Sequence, residues 1–393
     1  MRGNSHHFTN ATLPRIILFG LLIMACPYVV SQEARIQDDQ CQRIHWQIGK
    51  ERISTSYFGH AIDNVWIISM PADKPETLKR LGRLGDEEAV EAEMHKRDHT
   101  LHVWQWKDGT LKKRPEIGTL PSGGDYISLP GDRYFADFLQ PDGSYIMGIK
   151  ELSTGRHVHR LPENKGWSTM GAHGSMNGNF VGIISIQPTR SRSRIGLIDT
   201  EKGTLEWVTT VSGCRVCTPA IPSNNGKYIA MHELWKLLGV VDVEKKELLS
   251  TFPSDGSESA TAVCFSSDSK IVYIGGNHCR VRTMDIKTGR QLSQWYATDT
   301  GKEADFYPRI NDLSVSPDGQ FVAAWTTEGG VFVWSKTTDT VVKLSKSKVA
   351  GGLLAFSPDS KKLATTSTRS FEIWDLEQVR KSRVKSTKSR DTN

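Results

Sequence analysis

The sequence predicts an all-β fold made of one four-stranded unit repeated along the chain, and three observations carry that prediction. First, the stretch from Ala260 to Asp375 holds three near-copies of one pattern. Each copy is an alternating apolar run, a Ser-x-Asp turn and a second β-rich run, followed by a third run ending in Trp or Asp. The turns are Ser266-Ser267-Asp268-Ser269, Ser316-Pro317-Asp318-Gly319 and Ser357-Pro358-Asp359-Ser360. Second, the residue that ends the third strand can be followed backwards through the chain. It falls at Gln105, Glu151, Asp199, Asp242, Asp285, Ser335 and Asp375, at intervals of roughly 40–50 residues, the period of propeller blades. Third, Gly and Asp recur two to four residues beyond that position, where a tight strand reversal needs positive φ or a local side-chain hydrogen bond. Seven recurrences predict a seven-bladed β-propeller of four-stranded blades.

Before the first repeat the chain reads differently. Arg2 and Arg15 flank a polar start, and Ile16 to Val30 is a mostly apolar run too short for an ordinary membrane span. Residues 1–31 therefore read as a signal peptide, with Val29-Val30-Ser31 as the cleavage region. An uncleaved anchor, or lipid attachment at Cys26 within Ile23-Met24-Ala25-Cys26, is the alternative. The mature chain would be secreted or periplasmic, without a transmembrane domain. It contains no Asn-x-Ser/Thr acceptor, which favours a bacterial envelope. Residues 32–42 read as a linker, and 43–379 as the propeller.

In the first repeat, strands are expected at Ser54–Gly59, Val65–Met70 and Leu101–Trp106. Between the second and third lies an insertion, 71–99, that is charged and carries Leu78, Leu81 and Met94 at broken helical spacing. It is either a surface decoration or a partner-binding arm over the central channel. The second repeat is the least regular, with strands expected at 125–129, 134–139, 144–151 and 157–161. In the third, Phe180–Ile186 and Ile195–Asp199 are strands, and the connection between them carries Arg190, Arg192 and Arg194 at alternate positions. A solvated loop is one reading of these arginines; binding of an anionic ligand or polymer through forked guanidinium groups is the other. In the fourth repeat, Tyr228–Met231 and Leu238–Val243 are strands. The seventh repeat lacks a good fourth strand, while Ile44–Ile48 is an apolar run without a partner. Pairing of Ile44–Ile48 with Phe371–Asp375 would hide both edges.

Net charge is +6, but Arg380, Lys381, Arg383, Lys385, Lys388 and Arg390 crowd the tail, 380–393, leaving the body near neutral. A body suited to nucleic acid is absent. The tail reads as a disordered basic segment, with binding to an anionic membrane or polymer as a weaker function. Six cysteines, five of them beyond the signal peptide, do not form a disulfide framework. Cys214 and Cys217 lie in Cys-x-x-Cys spacing at the start of the fourth repeat. A local disulfide is the favoured reading, with structural thiols or a redox or metal site as alternatives. Cys264 and Cys279 belong to the first and third strands of one repeat, too far apart to bridge.

No nucleophile elbow, His-Glu-x-x-His or phosphate loop is present. His157 and His159 share a strand face, and His95, His99 and His102 are loosely spaced, but neither set brings the third partner a metal needs. The tryptophans fall in or beside strands and read as packing residues.

Phe356-Ser357-Pro358-Asp359 followed by Ile373-Trp374-Asp375 resembles a WD40 repeat, and Thr283-Met284-Asp285-Ile286-Lys287-Thr288-Gly289-Arg290 resembles the repeats of YVTN-type and quinoprotein-like bacterial propellers. The resemblance covers roughly residues 43–378 and implies a ring closed by an N-terminal strand. The expected function is that of a non-catalytic, monomeric platform for another protein, with no cofactor. The competing expectation is a quinoprotein-like or lactonase-like enzyme that binds a ligand or calcium at the channel, for which Asp63, Asp312 and Glu233 are the acidic candidates.

Overall fold

The computed structural model describes residues 35–38, 41–45, 51–58, 65–71, 102–107, 110–113, 126–129, 133–139, 145–151, 153–162, 167–187, 192–212, 216–233, 237–253, 260–299, 301–304, 308–345, 352–367 and 370–377. The chain is all-β, and among the described residues the strands form seven antiparallel sheets. Six have four strands each, over residues 51–113, 126–160, 168–212, 216–253, 260–296 and 310–345; they are numbered one to six in chain order. In each of these the strands pair in the order in which the chain makes them. The seventh sheet takes three strands from residues 352–375 and two from the far end of the sequence.

The expected pairing of the orphan N-terminal run occurs, but three residues early. Cys41–His45 pairs antiparallel with Ser370–Asp375, in the register Cys41↔Trp374 and Ile44↔Phe371. A further strand, Arg35–Asp38, pairs outside Cys41–His45 and makes the sheet five-stranded. Most of the stretch expected as a linker is therefore strand. Its polar composition hid it, because backbone pairing to an existing edge demands little of side chains.

The remaining strands fall close to their expected places. The irregular second repeat has Tyr126–Leu129, Arg133–Leu139, Tyr145–Glu151 and His157–Arg160. The first has Glu51–Phe58, Val65–Pro71, His102–Lys107 and a fourth strand, Thr110–Lys113.

Side-chain burial explains why the sheets stack. Every residue of Phe321–Thr326, the second strand of sheet six, is buried. Alternate residues of a strand face opposite ways, so Val322 and Ala324 join a core shared with sheet five. Phe321, Ala323 and Trp325 join one shared with sheet seven. Equivalent cores lie between sheets two and three, three and four, and four and five. A sheet buried on both faces needs apolar residues at successive positions, which is why these strands read as runs rather than strict alternation.

Neighbouring sheets meet through their first strands. Tyr126–Leu129 lies against Ser168–Gly174, which lies against Val216–Pro222. The succession continues through Ala260–Phe265, Ile310–Val315 and Gly352–Phe356 to Glu51–Phe58 of sheet one. Hydrogen bonds stitch it together. Thr261 Oγ1 donates to the carbonyl of Ile310. Asp312 Oδ2 accepts from the backbone N–H of Leu354 at 2.8 Å.

The Ser-x-Asp turn recurs five times, with Asn replacing Asp in the two copies harder to see in the sequence. Ser175, Ser223, Ser266, Ser316 and Ser357 each donate to the Asx side chain two residues on. Each also accepts a backbone N–H five residues on. The residue three after the serine takes positive φ: Gly178, Gly226, Ser269, Gly319 and Ser360. The turn between third and fourth strands repeats as strictly. Positive φ falls four residues after the position followed in the sequence, at Gly155, Gly203, Lys246, Gly289 and Asp339.

Candidate functional site

Because successive strands alternate in direction, the two kinds of turn share one end of the sheets. The connections from second to third strand, and from each sheet to the next, share the other. Among the described residues the turn end repeats one turn in five sheets and ties neighbours together. Asn177 donates from its backbone N–H and its Nδ2 to Asn224 Oδ1 and the Asn224 carbonyl, Asn224 Nδ2 donates to the Ser267 carbonyl, and Asp318 N donates to Ser360 Oγ. The described second-to-third-strand connections at the loop end differ from each other: positive φ falls at His278 and Cys279 in one and at Gly329 in the other.

At the loop end of sheet five, His278 and Cys279 both take positive φ, and His278 Nδ1 lies 3.1 Å from the Ala304 carbonyl oxygen. Lys343 pairs with Asp299 at 2.7 Å, linking the ends of two sheets. Strands Val65–Pro71 and His102–Lys107 also end and begin here, so the insertion enters and leaves at this end. Leu78, Leu81 and Met94 themselves lie outside the described residues.

The arginines predicted to share a loop are divided by the structure. Arg190 lies outside the described residues. Arg192 and Arg194 belong to a strand, Arg192–Asp199, where Arg194 pairs with Ser185 on one side and Thr210 on the other. From sequence the strand is expected to begin only at Ile195, because alternating Arg and Ser resembles a polar loop more than a strand. The same alternation is what an edge-of-core strand shows when one face is wet.

Arg192 is exposed and Arg194 half-buried, and both project from the same face of the strand. The Arg194 guanidinium carbon lies 3.5 Å from the ring centroid of Trp207 and 4.3 Å from that of Trp167. Trp207 comes from the fourth strand, Thr204–Ser212, and also packs into the core between sheets two and three. Trp167 directly precedes the first strand of the sheet. Burial of the cation beside two rings draws the Arg194 pKa down to about 10. The tryptophans, read from sequence as packing residues alone, thus also hold the arginine. No sequence signal pairs residues 167, 194 and 207, since the contact exists only once three strands are aligned.

Cys217 is the second residue of Val216–Pro222, at the loop end, with its backbone opposite His232. Cys214 lies outside the described residues, as do Asp63 and the signal-peptide stretch. Cys264 and Cys279 are free thiols, and burial raises both pKa values, that of Cys279 to about 12.

Asp312, one of the acidic candidates, is used structurally. Its Oδ1 accepts from Leu313 N at 2.9 Å and its Oδ2 from Leu354 N. Burial drives its pKa up to about 7, against the opposing pull of those two N–H groups. The neighbouring Asp312 charge adds to the effect of burial on Cys264. Among the described residues no three His, Cys, Asp or Glu side chains gather as metal ligands. His157 has its pKa lowered by burial and by Lys150 and Arg160, an environment that opposes a cation. No helix among the described residues is long and apolar enough to cross a membrane.

The chain matches no protein-family model, and no curated protein matches it.

Proposed function

We propose that this chain is an exported, WD40-like β-propeller of seven four-stranded blades that serves as a non-catalytic platform, docking another protein on its loop end. The observation that carries the reading is the contrast between the two ends. One end repeats the same hydrogen-bonded turns and ties neighbouring sheets together. The other end gathers an inserted segment and chemically distinct side chains on the same stiff frame. A rigid scaffold with variable loops on one face is what recognition requires, and it needs no catalytic group. The succession of first strands from sheet two round to sheet one supports a ring, with Cys41–His45 as the strand that completes the last blade. The same reading places the mature protein outside the cytoplasm, in the envelope or beyond it. There a Cys214–Cys217 disulfide would be stable.

The test compares three forms of the purified mature protein as bait in envelope extracts. They are wild type, a loop-end form lacking residues 75–97, and a turn-end form carrying Lys202→Glu and Lys227→Glu. A protein held by wild type and the turn-end form, and lost by the loop-end form, supports the platform. A protein held equally by all three sinks it. A rise in melting temperature on adding calcium or a quinone cofactor would move the balance to the ligand-binding alternative.

A further inference from the structure

We infer that the turn end of the sheets, together with the basic stretch that leaves from it, is a docking surface for a membrane rich in anionic phospholipid. The inference goes beyond the platform reading: it sets which end lies on the bilayer and leaves the loop end facing away.

Two independent observations meet there. The first is where the chain departs. Ser370–Asp375 is the third strand of sheet seven and therefore ends at the turn end. Leu376 follows it, buried, and its N–H donates to the carbonyl of Lys361 at 2.8 Å. The root of the segment after Glu377 is thus pinned to the turn end. The six Arg and Lys residues between 380 and 390 begin at most about 10 Å of extended chain beyond it.

The second observation is how the turns arrange charge. Lys227, Lys270 and Lys361 each stand four residues after the serine of a Ser-x-Asx turn. Their carbonyls accept from the N–H groups of Val243, Ile286 and Leu376, which fixes the backbone from which each side chain springs. Lys202, Lys245 and Lys287 occupy the other turn, between third and fourth strands, and all six lysines are exposed. The carboxylates of these turns are drawn back onto the backbone. Asp268 accepts from Ser266 Oγ and Lys270 N, and Asp285 from the N–H and hydroxyl of Thr288. Asp199 accepts from the N–H groups of Glu201 and Lys202, and its side chain is 20% exposed against 74% for that of Lys202. In sheet four the Asx is Asn225, so no carboxylate accompanies Lys227 in its turn. Cations on long stems therefore lie outside carboxylates on short ones, and exposed pairs such as Lys202–Asp199 hold the ammonium only weakly.

An anionic bilayer suits such a surface. Headgroup phosphates move in the plane of the membrane and can gather beneath cations fixed at unequal spacing, and lysine binds phosphate as a point charge without a set geometry. Each basic residue brought close to an anionic surface strengthens binding about five-fold. The stretch 380–390 has no aromatic residue on which a base could stack, which disfavours single-stranded nucleic acid.

The probe is a large vesicle of phosphatidylcholine containing about one-third phosphatidylglycerol, with vesicles of phosphatidylcholine alone as comparator and binding followed by sedimentation at low salt. Wild-type mature protein should bind the anionic vesicles at least thirty-fold more tightly than the neutral ones and lose most of that preference at high salt. Changing the six basic residues of 380–390 to Gln should weaken binding ten-fold or more. The turn-end form, Lys202→Glu and Lys227→Glu, should weaken it five-fold or more. Lys245→Glu with Lys287→Glu repeats the measurement should the first form melt early. The loop-end form lacking residues 75–97 should stay within two-fold of wild type.

Equal binding to neutral vesicles overturns the inference, as do turn-end forms that bind like wild type, which would leave the basic stretch acting alone. So does an equal loss in the loop-end form. An oligothymidylate of eight nucleotides that binds as tightly as the anionic vesicles marks indiscriminate capture of polyanions and overturns it too. The outcome separates from that of the platform test. If the vesicles bind through the turn end while no captured protein depends on residues 75–97, the membrane surface stands and the platform falls. If wild type ignores the vesicles yet loses its partner when residues 75–97 are removed, the platform stands and the membrane surface falls.

Discussion

Asp312 ties two first strands together, yet it does so with a carboxyl whose burial raises its pKa to about 7. The unfolded value is the ordinary 3.8. A carboxyl whose folded pKa is the higher one holds its proton more tightly in the native state, so acidification stabilises the fold. The gain is complete below the unfolded value and disappears as pH rises through about 7. Between pH 7.5 and 5.5 the wild type should gain about 2 kcal/mol of stability from this group alone. Asp312→Asn cannot titrate. Urea melts at the two pH values should show that gain in wild type and its absence in the variant. Burial sets the balance, opposed by the N–H groups of Leu354 and Leu313.

Gly182 makes a different point at the same scale. A Cβ there would run into the carbonyl oxygen of Ala220, backbone of the next sheet. Gly182→Ala must push two sheets apart and should cost about 1–3 kcal/mol, read as a lower urea midpoint with an unchanged slope.

Among the elements, the Ser-x-Asx turn is the unit that the sequence displays best and that the structure uses most. Its serine is an acceptor for one backbone N–H and a donor to the Asx side chain, so Ser recurs where Ala would leave both unmet. Ser223 is fully buried, with Tyr228 N and Asn225 Oδ1 each within 3.0 Å of its Oγ. Ser223→Ala should lower stability by about 1–3 kcal/mol, measured by chemical denaturation. Ser223→Thr, which keeps the hydroxyl, should recover part of that loss.

The strand Cys41–His45 is the element whose extent the sequence obscured. Its position is legible from the orphan apolar run Ile44–Ile48 and from the missing partner for residues 371–375. Its start at Cys41 and its outer neighbour, Arg35–Asp38, are not legible, because residues 35–43 are mostly polar. Removing residues 32–47 should expose the edge of Ser370–Asp375. We expect a lower melting temperature and concentration-dependent self-association, followed by light scattering.

At the scale of the molecule, legibility followed repetition. The turn that recurs in five sheets was found in three copies from residues alone, and the other two carry Asn for Asp at the same position. The third-strand register survived even through the irregular second repeat, because positive φ is needed at the same offset wherever the strand reverses. The candidate site is the opposite case. Arg192 and Arg194 stand out in the sequence but read there as a loop, and Trp167 and Trp207 reach Arg194 only through cross-strand alignment. Local patterns carry strands and turns; contacts across three strands leave no mark at a fixed spacing.

The pairing of Cys41–His45 with Ser370–Asp375 also sets a timetable. The ribosome makes the two halves of this sheet roughly 330 residues apart, which at typical elongation rates is tens of seconds of synthesis. Until the later half arrives, the earlier strand waits with its hydrogen-bonding edge open. A chain stopped short of residue 370 would carry most of its sheets yet leave the early strand without its mate. Quality control during biogenesis therefore has one late event to read: whether the early strand Cys41–His45 has found its late-made partner.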